Sequence, residues 1–131
     1  MNWRRYPTKY GNKKTVAHGI QFDSKHEADV YMELRIMQEQ GLIHDLKLQE
    51  KYVLIPAQYE TSNEVYKKGA HKGEPKKGKL IEKEVSYLAD FDYYTKEGDH
   101  VVADAKGFRT KEYILKRKMM LYIHGIRIME V

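Results

Sequence analysis

The stretch "VSYLADFDYYTKEGDHVVADAKGFRT", residues 85–110, decides the fold. Its first half alternates. In a strand, successive side chains point to opposite sides, so Val85, Tyr87, Ala89, Phe91 and Tyr93 share one face and Ser86, Leu88, Asp90 and Asp92 the other. Its second half, "DHVVADAKG", starts as a short apolar strand and ends on Asp104 and Lys106, two positions apart and so on one face. Between them, Lys96-Glu97-Gly98 reads as a three-residue hairpin loop with Gly98 left-handed. That loop pairs the strands symmetrically about Glu97, setting Asp92 opposite Val102 and Asp90 opposite Asp104. A two-residue loop would put those two carboxylates on opposite faces; the turn chemistry favours the longer loop.

Outward from the hairpin, "RTKEYILKRKMMLYIHG" predicts a helix with Thr110 as its cap and Gly125 as its stop. Tyr113, Ile114, Met120 and Leu121 face inward, and "IRIMEV" follows as a strand. Strand, helix and strand joined by short links predict a right-handed crossover with parallel pairing. Upstream, "FDSKHEADVYMELRIMQEQG" predicts a helix capped by Asp23 or Ser24 and ended by Gly41. Glu27 sits at the start of its stripe of Glu27, Tyr31, Leu34 and Gln38. "LIHDLKLQEKYVLIP" reads as one or two strands closed by Pro56. Residues 57–81, rich in lysine and glycine, read as a surface loop or an extended hairpin.

The expected fold is therefore α/β, bordering on α+β, with helix, three strands, helix and strand forming a mixed central sheet flanked by helices. One domain spans residues 22–131, interrupted by the lysine- and glycine-rich insertion at about 57–82. Residues 1–21 form a basic, aromatic arm, in which Trp3, Tyr6 and Tyr10 either stack on bases or pack against the domain.

Composition narrows the function classes. At 131 residues with 41% apolar and 33% charged side chains, the chain suits one globular domain with a modest core. The absence of cysteine excludes disulfides and thiolate zinc sites, and the six histidines show no metal-ligand spacing. No apolar run approaches the roughly 20 residues needed to span a bilayer, and no signal-peptide region opens the chain, so a cytoplasmic protein without a membrane partner is expected. The net charge of +5 is unevenly placed. Arg4, Arg5, Lys9, Lys13 and Lys14 stand without an acidic residue in the first 22, and Lys67 to Lys83 holds seven lysines against Glu74 and Glu82. Such concentration either serves solubility or favours a polyanion such as DNA.

If Asp90 and Asp104 are direct cross-strand neighbours, their Cβ atoms are about 5 Å apart and the carboxylates repel. A divalent cation relieves that repulsion, and hard oxygen ligands on a partly open site suit Mg2+ or Mn2+. Lys106 on the same face can hold an attacking water or stabilise charge on a phosphate. Glu27 can add a further carboxylate, though Ser24-x-x-Glu27 also matches a capping box. Taken singly, Asp104 with Lys106 reads equally as a surface ion pair, and Asp90 with Asp92 as a solvated face; the convergence of four charges from separate elements favours a site.

Asp90 followed by "DAK" at 104–106, with 13 residues between the aspartates, resembles the signature of the PD-(D/E)XK nucleases, and the element order resembles their restriction-endonuclease-like core. More closely, "KYGNKKT", "FDSKHEADVYMEL", "YLADFDYY" and "DAKGFRTKEYILKRKMM" resemble a family of small phage and prophage proteins described as Holliday-junction-resolvase-like. Ala89 stands where the superfamily's name has proline, a commonly variable position. The resemblance implies that Asp90, Asp104 and the Ala105 carbonyl bind metal, with Glu27 as a third acidic member and Lys106 as the catalytic lysine. It further implies a Mg2+-dependent endonuclease acting on branched or duplex DNA, and a homodimer. Lys13, Lys14, Lys25, Arg109 and Lys111 would touch the DNA backbone, Gln49 would stand near the active site, and Asp92 would be an additional acid. The rivals are a nuclease acting on other DNA structures or ends in phage replication or packaging, and a non-catalytic nucleic-acid-binding module on the same fold.

Overall fold

The computed structural model describes residues 14–131, so Lys13 and the aromatic residues of the arm lie outside the described residues. The chain runs β1 (Thr15–Ala17), β2 (Ile20–Phe22), α1 (Lys25–Glu39), β3 (Ile43–Ile55), β4 (Gln58–Tyr59), β5 (Leu80–Glu82), β6 (Val85–Thr95), β7 (His100–Asp104), α2 (Lys111–His124) and β8 (Met129–Glu130). It is a mixed α/β structure: two helices and a four-stranded sheet in the order β3-β6-β7-β8. β3, β6 and β7 run antiparallel in turn, and β8 joins β7 in parallel, as the strand–helix–strand pattern requires.

Both helices are bounded by the expected residues. Ser24, in extended backbone, accepts the Glu27 N–H at 3.1 Å and caps α1; Gly41, at φ +74°, turns the chain out of it. Thr110 accepts the Tyr113 N–H at 3.0 Å, and Gly125, at φ +66°, closes α2 while Ile126 N–H reaches back to the Met120 carbonyl. This is the left-handed C-terminal cap that glycine permits without steric cost.

The β6–β7 hairpin has the predicted register. Tyr94 pairs with His100, Tyr93 with Val101, Asp92 with Val102 and Phe91 with Ala103, a ladder centred on Glu97 with Gly98 at φ +93°.

Two cores lie on the two sides of the sheet. Phe22, Ala28, Tyr31, Leu34, Ile43, Phe91, Tyr93 and Ala103 pack around α1, while Leu54, Tyr87, Ala89, Val102, Tyr113, Met120 and Ile128 pack around α2. Here the simple alternation fails. Tyr87 and Ala89 belong to the α2 core, yet Phe91 and Tyr93, of the same parity, belong to the α1 core. On β3, Leu46 and Leu48 likewise pack with the α1 core, and Tyr52 and Leu54 with the other. Both strands change sides where Gln49 faces Asp90, and Gln49 there has φ +53° although the β3–β6 register runs on unshifted.

Two further expectations are corrected, and one left open is decided. The arm drawn to residue 21 overlaps a hairpin, β1–β2, turned by His18 and Gly19 at positive φ and packed on the α1 core through Ala17 and Ile20. Leu121 is exposed, because the inward stripe of α2 runs through Tyr113 and Met120. The 57–82 segment resolves the alternatives as an extended hairpin, with β4 paired antiparallel to β5 and a further bridge between Val65 and Pro75.

Among the described residues, no helix is long and apolar enough to cross a membrane.

Candidate active site

The start of α1, the middle of β6 and the link from β7 to α2 meet at a cleft of about 470 Å³. Glu27, Asp90, Ala105, Lys106 and Tyr113 line it, with Lys14, Asp23 and Ser24 on one side and Gly107, Phe108 and Thr110 on the other. β7 stops at Asp104, so Lys106 lies beyond the strand rather than on its face. Its ammonium nevertheless returns to Asp104, 3.2 Å from Oδ1, and lies 4.8 Å above the Tyr113 ring.

Asp104 is wholly buried beneath this cleft. The Tyr87 hydroxyl donates to Oδ2. Burial first, and then that bond, hold the Tyr87 hydroxyl well above its ordinary pKa, so it stays a donor. Oδ1 is different. Lys106 is near enough for charge attraction but is not aligned as a hydrogen bond, leaving Oδ1 buried with no hydrogen-bond donor. Unpaired buried acceptors are rare and costly, and one inside a charged cleft marks a place for a ligand.

Asp90 is opposite Asp104 in register, but backbone pairing ends at Phe91 and Ala103. Asp90 Oδ2 instead accepts the Ala105 N–H at 3.0 Å, and Oδ1 accepts the Gln49 amide at 3.2 Å. Burial raises the Asp90 pKa well above the usual carboxylate range, the Asp104 carboxyl beside it raises it further and Glu27 adds to this, while the Ala105 N–H opposes. Two carboxyls this close share a proton more easily than they hold two charges. Glu27, buried, is also shifted upward, chiefly by burial and by Asp23, with a smaller push from Asp104 and an opposing pull from Lys106. The Asp23 backbone N–H, one residue before the Ser24 cap, also opposes the rise.

Of the predicted residues, Glu27, Asp90, Asp104, Ala105, Lys106, Gln49 and Lys14 are thus brought together. Lys25 and Lys111 are exposed at the first positions of α1 and α2, outside the cleft lining. One expectation fails. Asp92 does not join Asp90: it is buried in a separate polar cluster, accepting from the Tyr52 hydroxyl and held 2.7 Å from His100 Nε2. The change of sides at Asp90 separates the two acids that strict alternation would have put together. Arg109 is exposed and its guanidinium is paired with Glu130, which Arg117 and Tyr113 also engage. Those partners, Arg109 first, hold the Glu130 carboxyl down at about 2. Glu130 follows Met129 in β8, so this cluster pins the last strand to α2.

Tyr87 and Tyr113 were not legible as site residues. Alternation sets Tyr87 opposite to Asp90, and only the switch of sides brings its hydroxyl to Asp104. For Tyr113 a signal existed: an aromatic ring one turn into the helix that follows the lysine. The role of Tyr87 has a direct test. Tyr87→Phe leaves both Asp104 oxygens buried without hydrogen-bond donors, and should cost about 1–3 kcal/mol of stability in urea unfolding. An unchanged midpoint would mean that Tyr87 is not what holds Asp104.

Among the described residues, no group of three or more histidine or acidic side chains is drawn together tightly enough to hold a metal as it stands. The site is a close pair, Asp90 and Asp104, with Glu27 as a third acid in the same cleft. Neither the curated proteins nor the solved structures offer a match to this chain. A family model described as "Protein of unknown function (DUF1064)" matches residues 7–128, nearly the whole length, and the chain belongs to that family.

Proposed function

We propose that the chain is a divalent-metal-dependent endodeoxyribonuclease on a restriction-endonuclease-like core, hydrolysing phosphodiester bonds. One observation carries this reading: Glu27, Asp90 and Lys106 open on one cleft over a fully buried Asp104 that keeps an unpaired oxygen. The donors suit a hard cation. Asp104 Oδ1 lacks a hydrogen-bond donor, Asp90 is crowded into holding a proton, and Glu27 and the Ala105 carbonyl complete an all-oxygen set. Asp90, Asp104, the Ala105 carbonyl and Glu27 would hold Mg2+ or Mn2+, which supplies Lewis-acid activation of water and neutralises charge on the phosphate.

The chain's own groups do the rest. Lys106, steadied by Asp104 and the Tyr113 ring, presents its ammonium to a non-bridging phosphate oxygen or to the attacking water. Gln49 and the Ala105 amide fix the Asp90 carboxyl from two sides, so its orientation does not depend on substrate. Glu27, with its raised proton affinity, can take a proton from water within the cleft. Lys14 lies at the rim, suited to an adjacent phosphate. No residue is called on as a covalent nucleophile.

Branched DNA as substrate, a homodimer and a phage setting follow from the resolvase-like resemblance. Symmetrical cuts across a junction need two sites, and one chain supplies one. The test is cleavage of four-way junction, linear duplex, nicked duplex and single-stranded DNA, each with Mg2+ and with EDTA. The reading expects Mg2+-dependent cleavage with junctions preferred. Equal rates on all four would remove the junction preference but keep the nuclease, and no cleavage of any would remove the nuclease.

A further inference from the structure

The β4–β5 hairpin holds most of the chain's uncompensated positive charge outside the arm. Residues 58–82 hold six lysines against Glu60, Glu64, Glu74 and Glu82, a net +2, whereas residues 23–57 and 83–131 together carry 13 basic and 15 acidic side chains, a net −2. A body of that sign does not attract a nucleic acid at long range; the hairpin does.

The hairpin is a built ribbon rather than a loose loop. Glu60 N–H bonds the Lys79 carbonyl at 2.8 Å, Lys76 N–H the Glu64 carbonyl at 2.9 Å and Tyr66 N–H the Glu74 carbonyl at 3.0 Å, three rungs along its length. Gly78 is packed so closely that a Cβ there would sit 2.2 Å from the Glu60 carbonyl oxygen. Its lysines are ordered without being neutralised. Lys77 lies 4.8 Å over the Tyr59 ring and Lys76 5.5 Å over Tyr66, contacts that position a cation yet leave its charge uncancelled. Among the described residues, Lys67, Lys68, Lys72, Lys76, Lys77 and Lys79 have no carboxylate partner, while Glu74 is engaged by His71. In the body, by contrast, Lys51, Lys116, Arg109 and Arg117 are each paired with a glutamate.

From this geometry we infer that the β4–β5 ribbon is a duplex-DNA-binding wing, seated in the major groove with its lysines on the flanking phosphates. The inference rests on the DNA-directed reading above and adds which surface grips the duplex. Two strands about 4.8 Å apart fit a B-form major groove about 12 Å wide, which admits a two-stranded ribbon. The deep, narrow major groove of A-form RNA does not, so DNA is the partner.

The test uses the full chain in EDTA, so that cleavage plays no part, with a fluorescent 30-base-pair duplex titrated between 50 and 200 mM salt. Replacing the six ribbon lysines by glutamine should weaken binding at least about 30-fold at 100 mM and flatten the log–log salt slope by about 3 or more, since each phosphate contact contributes about 0.9. Gly78→Ala, which alters the ribbon without touching its charge, should weaken binding several-fold and leave the melting temperature of the body unchanged. A-form RNA duplex should bind less tightly than DNA and lose less on glutamine replacement. Unchanged affinity and slope in the six-fold variant would overturn the wing, as would equal losses on RNA and DNA. The nuclease reading fails separately: a chain that binds duplex through the ribbon but never cleaves with Mg2+ would retain the wing and lose the enzyme.

Discussion

Replacing Asp104 or Lys106 by alanine is expected to lower cleavage about 10³-fold or more, while leaving duplex affinity within a few-fold of the parent. The magnitude follows from what each group does. A positioned acid, base or charge contributes about 10² to 10⁴ in rate, because it acts where charge develops. Asp104 has no solvent exposure, so its loss removes a carboxyl that nothing else in the cleft can replace. Lys106 is held by Asp104 and by the Tyr113 ring, so removing either partner also displaces the other. For that reason the double variant should lose little more than either single one, the non-additivity of groups that act as a unit. Since Asp104→Ala also leaves the Tyr87 hydroxyl without its acceptor, Asp104→Asn is the safer companion: its amide oxygen can still accept from Tyr87. Circular dichroism would show both variants folded. Cleavage that persists at the parental rate in Asp104→Asn and in Lys106→Ala would remove this cleft as the active site.

How far this site was legible depended on which interactions are local. Caps and turns depend on a few adjacent residues, so Ser24, Gly41, Gly98, Thr110 and Gly125 could be read directly and stand where expected. The hairpin register followed from one loop, which brought Asp90 to Asp104 without any knowledge of the rest of the sheet. What could not be read was the point at which alternation is broken. A positive φ at a glutamine has no composition signal, unlike one at glycine, yet the change of sides on both strands falls at Gln49. Asp92 was therefore placed with Asp90 and is found with Tyr52 and His100, while Tyr87 was placed away from the site and is found bonded to Asp104. Arg109 shows a second limit. Its partner Glu130 arrives from β8, a strand of two residues whose position depends on the whole crossover. The β1–β2 hairpin went unseen because three-residue strands are too short to display a period.

Asp90→Asn is expected to abolish cleavage and at the same time to make the metal-free protein more stable at pH 8, by about 1–2 kcal/mol or roughly 3–8 °C in melting temperature. Burial and the neighbouring Asp104 carboxyl raise the Asp90 pKa in the folded state, which means the folded chain holds this proton more tightly than the unfolded one. Stability from that source is complete below the ordinary value of 3.8 and declines as pH rises above it, since the unfolded state then releases a proton that the folded state retains. An asparagine carries no such charge, so the variant should be least different from the parent near pH 4 and increasingly more stable toward pH 8. Its hydrogen bonds survive the change: the amide oxygen accepts from Ala105, and Gln49 can turn its own amide to accept from the new NH2. Mg2+ should distinguish the two proteins. Bound only by the folded parent, it raises the parent's melting temperature relative to EDTA as mass action requires, and it does little for a variant that lacks the Asp90 charge. Thermal melts of both proteins in EDTA and in Mg2+, from pH 4 to pH 8, read all of this without an activity assay. A variant no more stable than the parent at pH 8 would mean that Asp90 and Asp104 are not crowded in solution. A Mg2+ shift of equal size in both would place the cation elsewhere. The combination expected here, a site that costs the fold stability until a cation and a phosphate arrive, is how a small domain keeps two carboxyls and an ammonium together in its interior.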